Sequence, residues 1–161
     1  MTDGYTPPRP WLASYGTTIP QDLPPPSYAS LADLVDRACA THAKRRAFTC
    51  VVPNGMNGSL SFEQVDALSD AFAGYLRSTL GLARGDRVAV QLPNSLSYPV
   101  VAFGVLKAGC VLVNTNPLYT VSEMVHQFNN CQAKALVVID MFADKLPEVM
   151  AQTGIQHVVL A

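Results

Sequence analysis

Two apolar rhythms run along the chain, and the places where one gives way to the other mark out its elements. Leu31, Leu34, Val35 and Ala38 recur at helical spacing after Ser30, whose hydroxyl can accept from the first free amides. Ala47 to Val52 reads as a strand. Asn54-Gly55 and Asn57-Gly58 follow, residue types that tolerate positive φ in hairpin turns, and the chain returns through Ser59 and Leu60. No Lys follows these glycines, so they do not read as a phosphate loop. Ser61 and Gln64 form a capping box. The helix behind it shows the stripe Phe62, Val65, Leu68, Phe72, Tyr75 and Leu76 up to Gly81.

From Arg84 onward strands and helices alternate. Val88 to Leu92, Cys110 to Asn114, Ala135 to Ile139 and His157 to Leu160 are short runs of Val, Leu, Ile and Ala. Between them lie three helices: Leu96 to Lys107, apolar nearly all round with Pro99 in its first turn; a helix capped by Thr120 and Glu123 with Val121, Met124, Val125 and Phe128 on one face; and a weaker one over Met141 to Met150 containing Pro147. Continuous apolar strands are buried on both faces and belong to parallel sheets. The expected fold class is α/β: a partial doubly wound, mainly parallel sheet with flanking helices, preceded by a Pro-rich extended arm and a β-hairpin. The arm is residues 1–29, with Pro7, Pro8, Pro10, Pro20, Pro24, Pro25 and Pro26 holding it extended and Trp11, Leu12 and Tyr15 as candidate anchors. Residues 30–161 form the domain.

Composition narrows the function classes. Apolar residues make up 49% of the chain and charged ones only 14%, against roughly 25% in a soluble domain, so part of the surface is expected to be covered by further polypeptide or a partner. Net charge is −1, which gives no footprint for nucleic acid. The basic run Lys44-Arg45-Arg46 reads as a solvated helix end. Cys39, Cys50, Cys110 and Cys131 lack metal-ligand spacing and read as small core residues in a reducing compartment. No signal peptide and no membrane-spanning run are seen, so a cytoplasmic protein is expected, with peripheral membrane attachment still compatible.

Ligands of open parallel sheets bind beyond the carboxyl ends of the strands. Here those ends are Leu92-Pro93-Asn94, Asn114 to Tyr119, and Asp140. Asn94, Asn116 and Thr120 each have a structural role available as caps or turn formers, and Tyr119 is the candidate packed aromatic at the crevice. His42, His126 and His157 are isolated, no carboxylates pair, and Gly81 to Gly85 is a turn into a strand. No catalytic, cofactor-binding or metal residue is assigned.

Several blocks in order carry a resemblance: Gly85-Asp86-Arg87-Val88-Ala89-Val90, Leu92-Pro93-Asn94-Ser95, Lys107-Ala108-Gly109 and Asn114-Thr115-Asn116-Pro117-Leu118-Tyr119-Thr120. They resemble the adenylate-forming superfamily, and the Asn-Pro-Leu-Tyr-Thr run resembles bacterial long-chain fatty acid CoA ligases. The resemblance runs from about Tyr28 to Leu160, with a looser likeness in the arm. It implies a ligase that joins a fatty acid to CoA through an acyl-adenylate, using ATP and Mg²⁺. Alternatives are an aryl, medium-chain or carrier-linked acid as substrate, or a short non-catalytic relative acting as an assembly module. The family's phosphate loop, its ribose-binding Asp and its catalytic Lys are absent from these residues. The chain is therefore expected to be the N-terminal portion of the large domain, ending inside a core strand at Val158 to Ala161, inactive alone and prone to dimerise or aggregate.

Overall fold

The computed structural model describes residues 8–161. Its centre is a four-stranded parallel sheet of β3 (Arg87–Gln91), β4 (Val111–Asn114), β5 (Ala135–Val138) and β6 (His157–Leu160), in the order β4-β3-β5-β6. Val88 stands opposite Leu112 on one side and Ala135 on the other, and Val137 stands opposite Val159. A separate antiparallel hairpin joins β1 (Arg46–Val51) to β2 (Asn57–Ser61). The helices are α1 (Leu31–His42), α2 (Phe62–Gly74), α3 (Ser97–Lys107), α4 (Val121–Cys131) and α5 (Leu146–Gln152).

Strand alternation divides the core in two. Val88, Val90, Ala135 and Val137 point to the face covered by α2 and α3, where they meet Leu76, Val101 and Val105. Ala89, Leu136 and Val138 point to the face covered by α4 and α5, where they meet Met124, Phe128 and Val149. Each fully buried side chain of this size contributes roughly 1.5–3 kcal/mol. Helices α2 and α3 cross so closely that a Cβ on Gly104 would lie 2.8 Å from Phe72 Cδ1 and 2.9 Å from the Ser69 carbonyl oxygen. Only glycine permits that approach.

The caps follow the sequence. Ser30 Oγ accepts from the Asp33 amide, and both capping boxes form, Ser61 with Gln64 and Thr120 with Glu123. Other expectations need correction. The arm is not extended throughout: Pro10–Ser14 make a 3₁₀ turn, and Arg9 pairs with Asp22 at 2.7 Å, folding the arm on itself. Trp11 and Tyr15 are exposed rather than anchored, with Leu12 half-buried; Pro7 and the residues before it lie outside the described segment. The hairpin turn is made by Asn54-Gly55 alone, with Gly55 at φ 84°, while Asn57 and Gly58 are already in β2. Of the expected face, Leu31 and Leu34 are exposed, Ala38 is half-buried and Val35 is buried, with Cys39 joining it inward. Leu68 and Tyr75 are likewise exposed; Val65, Ser69, Ala73 and Leu76 form the buried stripe. The α2 helix does not run on to Gly81, because Tyr75–Thr79 widen into a π turn. The last helix starts at Leu146, not Met141, with Pro147 in its first turn, where its missing amide hydrogen costs nothing. Burial on both faces holds for β3 and β5 only; β4 and β6 are edges, with Val111 and Leu160 exposed.

Candidate functional site

The parallel topology brings Gln91, Asn114 and Val138 to one edge, and the segments after them form the rim of the sheet. Gln91 is fully buried, and its Nε2 donates to the carbonyls of Asn116 (3.1 Å) and Pro117 (3.4 Å). The loop after β4 is thus tied to the end of β3. Asn116 Oδ1 accepts from the Leu118 amide at 3.0 Å and turns the loop. Gln127 Nε2 donates to the Asn114 carbonyl at 3.0 Å, and Tyr98 donates to Asn114 Oδ1 at 2.8 Å. Gln91 Oε1, Gln127 Oε1 and Thr115 Oγ1 are buried without a hydrogen-bond partner. Buried acceptors are seldom left so, and all three belong to this loop or to residues that hold it.

Each residue singled out from sequence has a definite place. Thr120 caps α4, and the hydrogen bonds its amide and hydroxyl donate to Glu123 hold that carboxyl below its usual range. Tyr119 packs on the α4–α5 side of the core, and its carbonyl accepts from Lys145 at 3.0 Å. Asn94 is exposed and caps nothing, because α3 begins after Leu96 without a side-chain cap. Asp140 is exposed at the start of a 3₁₀ turn. His126 is solvated, His42 lies 5.6 Å from the Phe62 ring, and His157 opens β6 half-buried. All four cysteines are free. Burial, with Asp66 and Asp36 beside one and Asp86 beside the other, pushes the Cys39 and Cys110 thiols up, which keeps them protonated and unreactive.

Sequence reasoning missed a buried ionic hub. Lys107 Nζ lies 2.5 Å from Asp66 Oδ1, 2.7 Å from Asp70 and 3.2 Å from Asp36. The lysine side chain is 6% exposed, while its partners reach solvent. Burial works against the ammonium, but its hydrogen bonds to Asp66, Asp70 and Asp36 outweigh that and raise its pKa. The hub joins α1, α2 and α3. Its signal was present in the sequence: Asp66 and Asp70 stand four apart on one helix, and Lys107 is the only charge on α3. A second pair, Asp86 to Lys134 at 2.8 Å, fixes the entrance to β3, where Asp86 also accepts from the Ala83 amide. Arg87 donates to the carbonyls of Cys131 and Gln132, closing the end of α4.

The three acids of the hub are the one group with cation-ligand spacing among the described residues. The Lys107 ammonium already sits among them, within 3.2 Å of each, so they do not fit a Mg²⁺ site. The motif blocks Gly85 to Val90 and Lys107 to Gly109 therefore serve the framework.

Comparison with known proteins follows the same lines. The family model described as AMP-binding enzyme matches residues 35–160. A long-chain-fatty-acid–CoA ligase of Escherichia coli is 42% identical over 150 residues, covering 93% of this chain and 26% of that protein. One from Bacillus subtilis is 37% identical over 139 residues, covering 85% of this chain and 23% of that protein. Among solved structures, a long-chain-fatty-acid–CoA ligase from Archaeoglobus fulgidus superposes with a TM-score of 0.76 at 26% identity, covering 86% of this chain and 28% of that one. The chain thus spans about a quarter of the length of the curated relatives it matches.

Proposed function

The chain belongs to the AMP-binding enzyme family, and from that premise we propose that it is the N-terminal part of the large domain of an ATP-dependent long-chain fatty acid CoA ligase. In this reading residues 30–161 belong to that domain and residues 1–29 are its arm. The observation that carries the reading is the 42% identity over 150 residues to a named ligase of that kind. The loop Asn114 to Thr120, which carries the resemblance, is held at the sheet's carboxyl edge by Gln91 and Gln127.

The overall reaction is balanced in two steps. A fatty acid carboxylate attacks the α-phosphorus of ATP and pyrophosphate leaves; the CoA thiolate then attacks the acyl carbon and AMP leaves. No described residue is assigned to either step, to ATP, to CoA or to Mg²⁺. This chain's residues supply shape: Gln91 fixes the Asn116–Pro117 turn, Thr120 and Glu123 fix the start of α4, and Lys107 locks three helices behind the sheet. A preorganised rim of this kind sets where substrates can sit.

A cytoplasmic location with peripheral membrane contact belongs to the same reading; no helix among the described residues is long and apolar enough to cross a membrane. The test joins the 161 residues in one polypeptide to the remaining three quarters of the Escherichia coli relative. We expect fatty-acid-dependent AMP release that favours long chains over aryl acids. A soluble, folded chimaera without such activity, or with preference for an aryl acid, would count against the assignment.

A further inference from the structure

The hairpin leaves one backbone edge without a partner, since β1 pairs with β2 alone. The Val52 amide donates to the Met56 carbonyl at 2.9 Å, and pairing alternates along an antiparallel ladder. Cys50 and Phe48 therefore face β2 as Val52 does, opposite Gly58 and Leu60, while Thr49 and Val51 turn their amides and carbonyls away from it. The Thr49 and Ser59 hydroxyls fix the same phase: they lie 2.9 Å apart, as close as side chains of a non-hydrogen-bonded pair come. Among the described residues, nothing bonds to the outward main-chain groups of Thr49 and Val51.

A cleft of ≈ 400 Å³ runs beside this edge and takes Phe48, Thr49, Cys50 and Val51 in unbroken succession. Side chains alternate between the faces of a strand, so a consecutive run marks a cleft along the edge. The apolar groove beside β6 differs: it takes Val159 and Ala161, alternate residues, and lies over a face. The far wall of the cleft is the start of α3 and the loop before it, with Leu96 and Pro99 apolar and Asn94 exposed. That loop also supports the hairpin. Cys50 Sγ lies 3.9 Å from the Asn94 carbonyl oxygen, and a Cβ on Gly58 would lie 3.2 Å from Leu96 Cδ1. Proteins usually block open edges with prolines, bulges or charges. Phe48 to Val51 carry none of these, and the one register shift lies before Phe48.

We propose that the open edge of β1 accepts an extended segment of a partner polypeptide, which adds a third strand to the hairpin through Thr49 and Val51. An amide and a carbonyl on each of these two residues match the main chain of an extended peptide. The added strand turns alternate apolar side chains to the face that carries Phe48 and Cys50. The site draws on the backbone of β1 and stands whether or not the ligase reading does.

The experiment follows amide hydrogen exchange of the 161-residue chain by NMR, with acetyl-Lys-Val-Thr-Val-Thr-Val-Lys-amide as the probe. Without peptide, the Thr49 and Val51 amides should exchange fast, and the Cys50 amide, facing Gly58 in the ladder, slowly. Peptide at ten times its apparent Kd should slow Thr49 and Val51 about tenfold. Methylating the peptide amides of one alternate set, either the threonines or the valines, should abolish that protection, and methylating the other set should leave it. Val51→Pro removes one outward donor at a position where an edge strand tolerates proline. It should weaken the peptide about fivefold, with slow exchange at Cys50 showing an intact hairpin. Four results would each overturn the proposal: Thr49 and Val51 unprotected at saturating solubility of the peptide, equal binding of the two methylated peptides, a folded Val51→Pro variant that binds undiminished, or protection that rises with the chain's own concentration without peptide, which assigns the edge to a second copy.

Discussion

The two faces of the sheet share the central strands β3 and β5 and end differently. On the α4–α5 side, Met124, Phe128, Leu136 and Val149 fill the space fully, and each is at most 1% exposed. On the α2–α3 side, the core around Val105 is equally tight, but it runs out into an apolar groove of ≈ 380 Å³ lined by Leu68, Phe72, Val100, Val137 and Val159. Leu68 is 47% exposed there. The open face leaves apolar surface in water, which favours association with something else.

Paired truncations, one on each face, probe that contrast. Phe128→Ala should cost about 3–5 kcal/mol of unfolding free energy by urea titration. Phe72→Ala should cost less than half as much, because its ring faces the groove; equal losses would mean that the groove is closed in solution. Lys107→Met comes next, at about 1–3 kcal/mol. A buried partner's removal is costly, and the reach of these acids to solvent moderates the loss. Adding Asp66→Asn should recover part of it.

Gly104→Ala should lose about 1 kcal/mol net. Overpacking against Ser69 and Phe72 costs about 1–3 kcal/mol, and the better helix propensity of alanine returns up to about 1. A stabilised variant would show that α2 and α3 separate easily.

The smaller effects concern charge and surface. The Asp86 carboxyl is held below its usual range by its bond to Lys134, with a further bond from the Ala83 amide. A depressed carboxyl contributes stability that is fully present above the ordinary value and lost as pH falls through the folded one. Stability should therefore drop below about pH 4, and Asp86→Asn should flatten that limb. Leu68→Ser should change stability by less than about 0.5 kcal/mol yet reduce self-association in light scattering, since it removes apolar area only from the open groove.

The elements were legible because local chemistry and global pattern agree. Ser61 with Gln64 and Thr120 with Glu123 announce their helices, and the apolar runs at Val88 and Ala135 announce strands buried on both faces. What escaped depends on tertiary geometry. Leu31, Leu34 and Leu68 fit a helical stripe, but periodicity cannot say which side of a two-turn-wide stripe is covered. Asn57-Gly58 has turn composition, yet Gly58 pairs with Cys50 in the ladder. The Lys107 hub joins residues more than thirty positions apart, and no spacing rule reaches across three helices. At the carboxyl edge, Asn116 and Thr120 were legible as turn and cap, whereas the Gln91 clamp was not, because a glutamine closing an apolar strand reads as an ordinary strand end.

We propose that these residues shape a ligase without performing its chemistry. The decisive measurement is palmitate-dependent exchange of labelled pyrophosphate into ATP by the purified 161-residue chain. Exchange no greater than in a blank without protein is expected. Exchange that rises in proportion to the concentration of the chain would contradict it.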